Sequence, residues 1–211
     1  MEAGLAIAFI STFLYTIGWS YAYFYYEQFN IGLLSVSIPK EYFFMYAFLV
    51  IKRNLLWFTM LLLLFFSLPL FKSFLFYLHN KLCDSTHQQQ STYLSVFLFI
   101  LLSIFILIEY ICFFNMGKST AIKDYQSQLN NYFPSYPGIK IKIKSDEKDP
   151  FLSMLSEDLM TGCYRLLLRS QGNLFLFYFT GAAHEKMALQ IISESKTEFV
   201  QVLPVYKICS D

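Results

Sequence analysis

Charge is what this 211-residue chain has least of. Asp, Glu, Lys and Arg make up 15% of it, against roughly 25% in an ordinary soluble domain. With 56% hydrophobic residues, that shortage excludes a disordered chain and makes a fully water-exposed surface hard to build. Histidine is scarce, and His79, His87 and His184 stand apart. The four cysteines (Cys83, Cys112, Cys163 and Cys209) show no CxxC spacing. Four reduced thiols are expected, with no zinc site. There is no HExxH, nucleophile elbow, P-loop or GxGxxG. The expectation is therefore a non-enzyme with no catalytic residue, no cofactor and no metal. A net charge of +1 gives no basic footprint of the kind that grips nucleic acid, so no direct nucleic-acid contact is expected.

What the chain has instead is long apolar runs. Ala3–Tyr26 carries no charge, and a helix of that length rises about 36 Å, enough to cross a hydrocarbon core of about 30 Å. Residues 54–71 and 93–114 form two more runs, the first with a kink or end expected near Pro69. Residues 31–51, with Pro39 and Lys40 in their midst, read as interfacial or as a further span. The N-terminal run is too long for a signal-peptide core and has no preceding Lys or Arg. The fold class expected is an α-helical membrane protein with three clear spans, possibly four, and a small C-terminal α+β domain. The transmembrane domain would occupy 1–116 and the tail 117–211. Lys40, Lys52, Arg53, Lys118 and Lys123 outnumber Lys72 and Lys81, which places the tail in the cytoplasm. The tyrosines of residues 21–26 and the aromatics of 42–46 read as an interface belt.

The tail alternates between the two periodicities. Ile139–Lys144 has strict period two; Asp149-Pro150 opens a short helix; Gln171-Gly172-Asn173 separates two strand-like runs. Residues 182–192 read as a helix, and 198–203 with 205–208 as a final strand. The order strand, helix, strand, strand, helix, strand matches a ferredoxin-like arrangement.

Three features are candidates for function. Gly4, Ala8, Ser11, Gly18 and Ala22 form a seam of small residues on the first span, suited to close helix packing in a homo-oligomer. Glu109 is the one acid inside a span, read as reaching the interface, pairing, or holding an ion or proton. Lys140, Lys142 and Lys144 line one strand face, and Arg165 with Arg169 another. They are either a solvated edge guard or a contact for an acidic partner.

The stretch from Gly18-Trp19-Ser20-Tyr21 to Ile38-Pro39-Lys40-Glu41-Tyr42-Phe43-Phe44, with the tail ending Val202-Leu203-Pro204-Val205-Tyr206, resembles the membrane subunits of bacterial anti-phage defence systems, that of the Kiwa system above all. The resemblance implies a four-span, oligomeric inner-membrane protein that senses phage attack and engages a cytoplasmic partner. The function expected is accordingly a multi-pass sensor or anchor of the bacterial inner membrane, in contact with lipid and with copies of itself, that recruits or regulates a cytoplasmic effector protein in antiviral defence. An oligomeric ion channel or pore is the alternative.

Overall fold

The computed structural model describes residues 3–33, 36–82, 88–144, 150–178 and 189–203. The apolar runs become helices: α1 (Ala3–Glu27), α2 (Lys40–Arg53), α3 (Leu55–Leu82) and α4 (Gln88–Asn130). Helix α3 continues through Pro69 instead of ending there. Helices α2 and α3 are broken at Asn54, whose side-chain amide donates to the Val50 carbonyl at 2.9 Å and closes α2. Lys52 and Arg53 in the last turn of α2 complement its dipole.

The expected three or four clear spans are not what the structure contains. Among the described residues one helical stretch, Phe99–Asn130, is long and apolar enough to cross a membrane. There is a second only if Lys40–Arg53 and Leu55–Phe65, bent by 103°, count as one. In α1 the hydroxyls of Thr12, Thr16 and Ser20, and the run of tyrosines beyond, dilute the apolar content. Thr12 and Thr16 each bond a carbonyl one turn back at 2.9 Å. The last turns of α1 also have another task, as Tyr21, Ala22, Tyr25 and Tyr26 are buried protein interior.

The chain divides into two compact units. One comprises residues 1–20 and 43–117; the other comprises 21–42 and 118–211. In the first, Phe13 packs against Phe65 and Phe113, with ring centroids 5.9 and 4.8 Å apart.

The second unit is built on a five-stranded sheet. Its strands are β1 (Gly138–Ile143), β2 (Tyr164–Ser170), β3 (Asn173–Tyr178), β4 (Leu189–Ser193) and β5 (Thr197–Leu203), with α5 (Pro150–Thr161) between β1 and β2. The order is β4-β3-β2-β1-β5, and every pairing is antiparallel. This corrects the ferredoxin-like arrangement, which needs parallel neighbours joined by crossover helices. It also corrects the helix expected over 182–192. Leu189–Ser193 is a strand, and residues 179–188 lie outside the described part, as do 205–208. Pairing with β3 overrides the local helical pattern. The hairpin expected at Gln171-Gly172 is present, with both residues at positive φ (52° and 70°).

One face of the sheet carries Ile139, Ile141, Ile143, Tyr164, Leu174, Leu176 and Ile192, packed with Leu155 and Leu159 of α5. The other face meets aromatics. Phe177 lies 5.1 Å from both Phe29 and Phe133, and 5.6 Å from Tyr136. Helix α4 ends to make this possible. Tyr132 and Phe133 take left-handed φ of 59° and 51°, and the Phe133 N–H donates to the Gln128 carbonyl at 2.7 Å. That conformation costs of order 1–3 kcal/mol per non-glycine residue, and it places Phe133 fully out of solvent.

Candidate functional site

Helices α3 and α4 of the first unit expose large apolar side chains. On α3, Leu56, Trp57 and Leu63 are 75%, 66% and 70% exposed; on α4, Phe99 is 69% exposed, and Ile104, Leu107 and Ile111 are about half exposed. Contiguous apolar surface beyond a few hundred Å² marks a membrane or protein interface.

The small-residue seam of α1 splits in two. Gly4, Ala8 and Ser11 are exposed, and a Cβ at Gly4 would meet nothing within 4 Å. Gly18 is buried, and a Cβ there would sit 1.6 Å from the Phe43 carbonyl oxygen. Ala22 is fully buried in the second unit. The inner half of the seam is therefore spent on intramolecular packing.

Glu109 is 1% exposed, and neither carboxylate oxygen has a hydrogen-bond partner in the described structure. It is enclosed by protein. One turn on, Phe113 is also buried and packs against Phe13 and Phe58.

In the second unit a polar network runs through the aromatic layer. The Tyr21 hydroxyl donates to Asp124 Oδ2 at 2.9 Å. The Tyr25 and Tyr136 hydroxyls share a hydrogen bond of 2.7 Å. Arg165 Nη1 donates to the Tyr136 carbonyl at 3.0 Å. Burial, reinforced by Tyr25, pushes the Tyr136 hydroxyl far above its ordinary ionisation range. Burial also lowers the pKa of Arg165. Composition and motif gave no sign of this network. The one legible hint was the buried row Glu109, Phe113, Met116, Thr120 and Asp124, at three- and four-residue steps along α4.

The basic residues are more dispersed than their spacing suggests. Lys140 is half-buried and Lys144 exposed, while Lys142 pairs with Glu198 at 2.8 Å. A bulge between Leu166 and Leu168 shifts β2 by one residue. Arg165 therefore pairs with Phe177, Arg169 with Leu174, and the two arginines fall on opposite faces. Arg165 is buried. Arg169 is an exposed ion-pair partner of Glu194, which raises its pKa by hydrogen bonding and charge.

Cys163 is disulfide-bonded, and so is not the reduced thiol expected from spacing. Cys112 is free and exposed. Among the described residues no group of three His, Cys, Asp or Glu is placed to hold a metal ion. No family model, curated protein or solved structure matches the chain.

Proposed function

We propose that this chain is a membrane-anchored sensor or adaptor, in which the first unit contacts lipid and the second recruits a cytoplasmic effector protein. The observation that carries the reading is the exposed apolar surface of α3 and α4, where leucines and phenylalanines stand half to three-quarters open. Lipid is the solvent that such a surface needs. The resemblance noted in the sequence supplies the setting, antiviral defence at a bacterial inner membrane.

The side is argued from α4. Lys118 and Lys123 follow its apolar stretch, whereas Gln88–Thr92 at its start carries no charge. Basic residues at a span end favour the cytoplasm. A disulfide at Cys163 is more usual in an oxidising compartment, so sidedness is tested directly. Protease added outside intact spheroplasts should leave the second unit uncut, and digestion would reverse the orientation.

Two observations support a docking role for the second unit over catalysis. The Tyr21, Asp124, Tyr25, Tyr136 and Arg165 groups are tied up in structural hydrogen bonds, while β5 and Lys142 beside it are accessible. Cross-linking in the source cell with the full chain as bait should capture one soluble protein at fixed stoichiometry. Capture of nothing would remove the recruitment reading.

A further inference from the structure

We propose that the outer edge of β5 is the docking rail for the effector, and that it receives an extended strand in which acidic residues alternate with apolar ones. The inference rests on the recruitment reading and names the chemistry of the partner.

Among the described residues, strand β5 ends the sheet and pairs with β1 alone. Five of its seven residues are exposed; Phe199, Val200 and Val202 stand 42%, 39% and 58% open. Edge strands are ordinarily guarded by Lys, Pro, a bulge or short length. Here the irregularity lies at the Thr197 end, opposite Lys142 and Ile143. From Phe199 to Leu203 there is neither Lys nor Pro. The backbone N–H and C=O groups directed away from β1 along this stretch form a template for one more strand.

Register fixes what such a strand would meet. Phe199 and Gln201 pair with Lys142 and Lys140 and share their face; Val200 and Val202 pair with Ile141 and Ile139 and share the face covered by α5. Alternate side chains of an added strand fall beside these two rows. The first row carries two lysines against one acid, Glu198, already paired with Lys142. Charge complementarity therefore selects acids on that face and apolar residues on the other. A second copy fits less well. Antiparallel β5–β5 pairing would match the lysine-bearing sheet with itself, and two seven-residue strands alone fall short of the about 1,000 Å² expected of a stable interface.

The probe is a fluorescein-labelled nine-residue peptide alternating Glu and Val, titrated with the detergent-solubilised full chain and read by anisotropy. Two further peptides carry backbone N-methyl groups, one on the Glu residues and one on the Val residues. A docked strand uses only one set of N–H groups. One methylated peptide should therefore bind at least tenfold more weakly, while the other stays within about twofold of the parent. A Lys–Val peptide should not bind. The chain carrying Lys142→Glu with Gln201→Glu, both surface changes, should lose at least tenfold, and Lys123→Glu should lose nothing.

Equal binding by the two methylated peptides, or binding of the Lys–Val peptide, would overturn strand addition. So would a fall in oligomer mass caused by the double variant, which would make a second copy the occupant. Cross-linking separates this proposal from the reading beneath it. Undiminished effector capture by the double variant removes β5 and keeps recruitment, whereas no capture by the wild type removes both.

Discussion

At the scale of single residues, Gly18 makes the sharpest prediction. A methyl group there overlaps the Phe43 carbonyl oxygen, a backbone atom that has no rotamer to move into. Gly18→Ala should destabilise the first unit by at least about 1–3 kcal/mol, seen as a lower melting temperature in detergent. Gly4→Ala should leave it unchanged, since nothing lies within 4 Å. Spacing revealed that both glycines share a seam, but not that only one is already occupied. Contact of that kind depends on where the start of α2 lies in space.

Glu109 is a second residue-scale case. An unpartnered buried polar group costs about 1–3 kcal/mol. Glu109→Leu should raise thermal stability by that order, and a fall would reveal a partner for the carboxylate. Tyr136 gives a pH prediction. Its folded-state pKa is raised above the ordinary 10.0, so the folded state holds the proton more tightly than the unfolded one. The stability it contributes is complete below about pH 10 and is lost as the pH climbs beyond that value. Urea denaturation of the full chain at pH 8 and pH 11 should show the decline. Tyr136→Phe should cost about 0.5–1.5 kcal/mol at pH 8 and flatten the alkaline loss.

At the scale of elements, period two announced β1, and the structure keeps its isoleucines buried and Lys142 exposed. The hairpin was legible for the same local reason, since Gln171-Gly172 suits a turn of positive φ. Strand β4 was not legible. Leu189, Gln190 and Ile191 suit either periodicity, and pairing with β3 decided between them. The bulge in β2 was equally hidden, and it alone separates Arg165 from Arg169. The outer half of the α1 seam belongs to this scale too. If Gly4, Ala8 and Ser11 pack against a second copy, Ala8→Leu should reduce particle mass in detergent. An unchanged mass would end that role for the seam.

At the scale of the whole molecule, the apolar surface of α3 and α4 predicts integral membrane behaviour. The full chain should remain in the pellet after alkaline carbonate extraction, and release into the supernatant would remove the anchor reading. A helix such as α1, uncharged up to Tyr26, can be long enough to cross a bilayer and still commit its last turns to protein interior, where Tyr21 and Tyr25 find hydrogen-bond partners.

By itself the sequence determined the helical first half and the strand-forming tail, because these follow from periodicity and composition along the chain. Tertiary structure alone decided which glycine is packed, which lysines are paired and which strand is left at the edge. Those outcomes depend on contacts between residues a hundred positions apart, such as Tyr21 with Asp124, and no local pattern encodes them.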